Sequence, residues 1–270
     1  MFEFGFDQAA GLRAEPARAA GPSVMPVASP AQPARAYELL CTLAAHLTAL
    51  GREVVIIDPT ASETPVRRGN DGSHLGLLHT MHDPSICGLA RSGEGVDWLV
   101  MPGALGMQAL QQTALASGGA VALSRLLAPF GPRALVLLFA PPQGLATLLA
   151  GLPARALVPV LPQPQASIDA YGALKLLHAA GISPVLAPLE QGLEPEAVPL
   201  QQVVDTVADC AQRYLGLPVD TWPLNTWGLR VQESALTRCD PRAGAPSGLW
   251  HPHFSAPQAG RAATAHTTWS

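Results

Sequence analysis

From residue 24 onward, short apolar runs alternate with longer stretches in which leucine recurs at helical spacing. That alternation predicts strands and amphipathic helices in βαβ order, hence an α/β fold with a mostly parallel sheet flanked by helices. The first run, residues 24–28, leads into a helix over 34–50 whose Leu39, Leu40, Leu43, Leu47 and Leu50 form one apolar stripe, closed by Gly51. Residues 53–58 follow as four apolar residues between charges, the pattern of a central buried strand. The loop 59–73 is polar and, with Pro65, Arg67, Arg68, Gly69 and Gly72, is expected to be exposed. A short helix is predicted over 74–79, then a strand over 97–101 stopped by Pro102 and Gly103, then a leucine-rich helical region to Leu127, broken at Gly118 and Gly119. Strands are predicted over 135–139 and 156–161, the second holding Pro159, which argues against full pairing. The last elements are a helix over 167–180 with Leu174, Leu176 and Leu177 inward, a strand over 182–186 and a helix over 198–215.

The ends read differently. Residues 1–22 combine a short helix over 8–13 with an Ala- and Pro-rich tether, and residues 240–270 turn to Pro, Gly, Ala, Ser and His without periodicity, so disorder is expected there. The folded domain is assigned to 23–239. Charged residues make up 13% of the 270 and the net charge is −4, which gives no bulk attraction to nucleic acid or to an anionic membrane. Cys41, Cys87, Cys210 and Cys239 have no metal-site spacing and are expected to be reduced thiols. The N-terminus lacks the pattern of a secretory signal, and no apolar run reaches the roughly 20 residues of a membrane span. A cytoplasmic protein is expected.

Three stretches carry a family resemblance. DQAAGLR at 7–13 matches the DQAxxLR motif that precedes the ATPase domain in the flagellar branch of the MinD/ParA-type P-loop ATPases, the branch that regulates flagellar number. SPAQPARAYELLCTLAAHLTALGREVVIID at 29–58 aligns without a gap on that family's deviant Walker A loop, helix and following strand, and PQPQASIDAYGALKLL at 162–177 resembles its PEPTSITDAYxxIKLL. The resemblance implies a P-loop NTPase fold. It also implies a docking role for Asp7, Gln8, Leu12 and Arg13 against a flagellar GTPase of signal-recognition type or other flagellar assembly proteins. A dimer with itself or with an intact relative is a further implied partner.

The departures are as informative as the matches. On this alignment the signature lysine falls on Ala31, the phosphate lysine on Ala36 and the Mg²⁺-binding threonine on Tyr37, while Pro30, Gln32, Pro33 and Arg35 replace glycines. Asp58 keeps the first switch I aspartate, Thr60 replaces the second, and the switch II aspartate falls on Phe139. Two prolines remove N–H donors from the loop, no lysine faces a γ-phosphate, and a tyrosine is too long for the threonine's role. These losses lead to the expectation of a pseudo-ATPase with no ATP or Mg²⁺ cofactor, acting through protein contacts. Two alternatives stay open: weak ATP binding or hydrolysis through a site rebuilt on Arg35 and Asp58, and an unrelated α/β enzyme using His74, His79 or His82.

The remaining candidates have plainer readings. Asp58 is either a relic switch residue or a cap of its loop. Asp169 suits a helix start and, with Tyr171, is read as structural. His79 and His82 share a helical spacing but only Asp83 completes a ligand set, so no metal is expected. Ser124 and Ser167 lack a nucleophile-elbow context. Arg230, Arg238, Arg242 and Arg261 near the C-terminus lack an apolar helical face, so membrane binding is not expected.

Overall fold

The computed structural model describes residues 21–30, 33–63, 76–83, 98–163, 165–189 and 198–237. These form one sheet whose strands are β1 (Ser23–Ala28), β2 (Glu53–Asp58), β3 (Trp98–Pro102), β4 (Ala134–Ala140), β5 (Arg155–Val160), β6 (Ser183–Pro188), β7 (Asp220–Thr221) and β8 (Leu236–Thr237). The order is β3-β2-β4-β1-β5-β6-β7, all parallel, with β8 antiparallel to the start of β1. β1 therefore lies at the centre, where the chain stops building to one side and starts building to the other.

Alternate residues along the strands face two separate cores. On one face Met25, Val27, Val54, Ile56, Leu135, Leu137 and Phe139 meet α1 (Pro33–Ala49) and α8 (Trp227–Ser234). On the other, Val24, Ile57, Val136, Leu138 and Val158 meet α2 (Leu77–His82), α3 (Ala104–Ser117), α4 (Gly119–Leu127), α5 (Pro142–Leu149), α6 (Ala166–Ala179) and α7 (Leu200–Leu215).

The helix α1 forms because Pro33 suits a first helical position and Leu39, Leu40, Leu43 and Leu47, all fully buried, repeat on one side. Each such leucine contributes roughly 1.5–3 kcal/mol by burial. The helix ends where Gly51 takes a φ of +78° and donates to the Thr48 carbonyl, while Arg52 donates to that of Leu47.

Several sequence expectations need correction. Leu50 lies beyond the last turn of α1 and is exposed, and Leu176 faces solvent because it sits about 200° round the helix from buried Leu174. Pro102 does not stop β3 but ends it in register with Asp58, which is tolerated because β3 is an edge strand. The expectation at Pro159 holds: it stays in register with Ala187 of β6, while β5 pairs β1 at Leu157, short of the proline. The helix expected at 74–79 runs instead from Leu77 to His82. Sequence periodicity gave no sign of α5, α8, β7 or β8, which are short or held by distant partners.

Candidate functional site

The carboxyl ends of β1, β2, β4 and β5 open into a cleft of about 540 Å³ beside α6. In parallel α/β sheets ligands bind at this end, where the strand order reverses. Five prolines stand in its wall: Pro30 and Pro33 around the β1–α1 turn, Pro141 and Pro142 after β4, and Pro159 in β5. Ser29, Thr60 and Asp169 supply the polar atoms, and Asp169 carries the only charge among the described lining residues.

The positions aligned with phosphate and Mg²⁺ chemistry pack as core. Ala36 is fully buried in α1, and Phe139 in β4 is 1% exposed. The Tyr37 ring meets Phe139 edge to face, with centroids 6.5 Å apart. Burial raises the Tyr37 phenol above its ordinary range, with Cys41 and Asp58 adding a smaller electrostatic push. Thus one aromatic contact joins α1 to β4 at the carboxyl end of the sheet.

Asp58 is engaged locally. Its Oδ1 accepts from the Thr60 N–H at 2.9 Å and from the Thr60 hydroxyl at 2.6 Å, an Asx turn that shapes its own loop. Its carbonyl accepts from Ala61 and Gly103, which ties the loop to the entry of α3. Asp169 lies in the first turn of α6 and accepts from the Gln165 amide at 3.4 Å.

A residue that sequence reading missed follows in the loop after Asp58. The expectation that loop 59–73 is exposed fails at Glu63, which is only 7% exposed. Its Oε2 accepts from the Leu78 N–H at 2.8 Å and its Oε1 from the Gly106 N–H at 2.7 Å, so one carboxylate caps α2 and α3 together. This cap sets the start of α2 later than leucine spacing predicts. Gly76 makes room for it, since a Cβ there would lie 2.3 Å from the Glu63 Cγ. The only sequence hint was a glutamate between two strand signals.

The candidate residues Asp7, Gln8, Leu12, Arg13, Ala31 and His74 lie outside the described residues, as does the side chain of Arg35. His79 and His82 lie on α2, and among the described residues no three His, Cys, Asp or Glu side chains gather as a metal set. Likewise among these residues, no helix is long and apolar enough to cross a membrane.

No protein-family model matches the chain, and no curated protein matches it. Solved structures do. The chain is similar to apo McdA from Cyanothece, at 16% identity over 75% of this chain and 84% of that one, with a TM-score of 0.48. It is similar to the MinC:MinD cell division protein complex from Aquifex aeolicus, at 13% identity over 77% and 85%, TM-score 0.44. It is also similar to cobyrinic acid a,c-diamide synthase from Mycobacterium smegmatis with bound ADP and magnesium, at 17% identity over 80% and 98%, TM-score 0.47. The likeness is one of fold.

Proposed function

We propose that this chain is a non-catalytic member of the P-loop ATPase lineage, a regulator of flagellar number or assembly that acts through protein contacts rather than nucleotide turnover. One observation carries the reading: of the residues that stand where the resembled family places its phosphate lysine, Mg²⁺ ligand and switch aspartate, Tyr37 and Phe139 meet edge to face across α1 and β4, and Ala36 is buried in the same apolar core. A polyphosphate needs backbone N–H donors and positive charge. Five lining prolines have no N–H, and the charged lining residue described is an aspartate.

The proposed contact is the 7–13 segment docking a GTPase of signal-recognition type, with Leu12 as apolar anchor and Asp7, Gln8 and Arg13 as polar contacts. Calorimetry with Mg²⁺–ATP at millimolar concentration tests the first part and is expected to register no heat of binding. Saturable binding there would overturn it. A pull-down with the GTPase tests the second: a Gln8→Ala, Leu12→Ala variant is expected to lose the partner, and retention equal to the unsubstituted chain would remove the docking assignment.

A further inference from the structure

The cleft is not merely stripped of phosphate chemistry; its hydrogen-bonding polarity is inverted. The Ser29 N–H donates to the Ala140 carbonyl and its hydroxyl to that of Pro30. Both donors of Thr60 go to Asp58. The Ile168 and Asp169 N–H groups donate to the Gln165 carbonyl, and the five prolines have none to offer. The other described lining residues lie within strands or the body of α6. What the described lining still presents is therefore acceptor capacity: the hydroxyl lone pairs of Ser29 and Thr60 and the Asp169 carboxylate, of which Oδ1 already accepts from the Gln165 amide.

Among its described residues the cleft is acceptor-only, largely apolar and carries one negative charge, which suits a donor-only cation on an apolar stem, such as guanidinium or alkylammonium. The α6 side of the cleft is itself a row of exposed or small positions. Ile168, 64% exposed, Gly172 and Leu176, 39% exposed, follow one another at four-residue spacing along α6, a row of about 12 Å by helix geometry. Gly172 leaves open space, with nothing within 4 Å of a Cβ built there. Exposed apolar side chains spread over that length along one side of the cleft suit the successive side chains of a peptide.

We infer that this cleft is a docking site for a partner peptide that places an arginine or lysine beside Asp169 and lays flanking apolar side chains along Ile168, Gly172 and Leu176. The inference rests on the reading that the site has left nucleotide chemistry, and charge complementarity selects this occupant over an acidic or phosphorylated one.

The test is amide NMR on the full chain titrated with a synthetic peptide, Ala-Leu-Ala-Arg-Leu-Ala, and with its citrulline counterpart, which keeps the shape and loses the charge. Shifts are expected at Asp169, Gly172 and Ala173, with the citrulline peptide weaker by about fivefold, as one partly exposed ion pair allows. The Asp169→Asn chain, with an otherwise unchanged spectrum, is expected to bind both peptides equally weakly. Equal binding of the two peptides by the unsubstituted chain, or no shifts at these residues, overturns the inference. A parallel titration with Mg²⁺–ATP separates the two readings: saturable shifts at the β1–α1 turn sink the non-nucleotide assignment, whereas silence toward both ATP and peptide sinks only the peptide site.

Discussion

Replacing Glu63 by alanine removes the one side chain that caps two helices. Two backbone donors, at the part-buried Leu78 and the buried Gly106, then lose acceptors that now lie 2.8 and 2.7 Å away. A hydrogen bond to a charged group contributes about 1.5–3 kcal/mol, and a buried donor left unsatisfied costs a similar amount. Two such donors give an expected loss of about 3–5 kcal/mol, which for a domain of this size lowers Tm by roughly 10 °C. Glu63→Gln discriminates between packing and hydrogen bonding. It keeps the volume but turns an amide N–H₂ toward one of the donors, so about half the loss is expected. Urea denaturation with an unchanged m-value measures both, and hydrogen exchange at the Leu78 and Gly106 amides shows whether the damage is local. If Glu63→Ala loses less than about 1 kcal/mol, or if the glutamine variant is as damaged as the alanine one, the double cap does not stabilise the fold as argued.

Three other substitutions test the site from different sides. Burial raises the Tyr37 phenol above its ordinary 10.0, so the unfolded chain loses this proton first; the stability it contributes is complete below about pH 10 and falls as pH climbs toward the raised value. Tyr37→Phe is expected to flatten that alkaline decline, read from urea midpoints between pH 9 and 11. Ala36→Lys, which puts back the residue type of an intact phosphate loop, is expected to destabilise by at least about 3 kcal/mol, because the position is fully buried, and to confer no Mg²⁺–ATP binding by calorimetry. Gly51→Ala forces a Cβ into a φ of +78° and is expected to lower stability by about 1 kcal/mol in thermal unfolding, with the fold unchanged by circular dichroism.

The fold was legible wherever one element supplied its own signal. The alternation across β1, α1 and β2 and the paired glycines between α3 and α4 are local patterns, and the structure follows them within a residue or two. What escaped is held by partners remote in sequence. The strand β8 exists because Leu236 and Thr237 reach back to Val24 and Ser23, and the start of α2 is set by a carboxylate 15 positions upstream. Helix α8 is polar by composition, yet it buries Trp227 and Val231 against α1, where Gly228 lets it approach Leu50 and His46. The Trp227 indole donates to the Trp222 carbonyl, a link that no periodicity announces. Leu176 was misplaced for a related reason. Three leucines in four positions cannot all face inward on a helix, and composition alone does not say which one faces out.

The same division separates the residues that hold the sheet from those that shape the cleft at its end. Side chains that point into the two cores are set by strand alternation, so Met25, Val27, Leu135 and Leu137 serve the sheet whatever happens at its end. The carboxyl-end turns carry no such obligation, and there Pro30, Pro33, Pro141 and Pro142 present rigid apolar surface without N–H donors. Phe139 sits on the boundary, a core position one residue before the end of β4. An apolar ring there extends the core outward by one contact and gives Tyr37 a partner. An aspartate at the same position would be desolvated beneath Tyr37 with no lysine at position 36 to answer its charge. The buried Ala36, the Tyr37 ring and Phe139 therefore suit one another, and placing a charge at position 36 or 139 alone is expected to destabilise the chain.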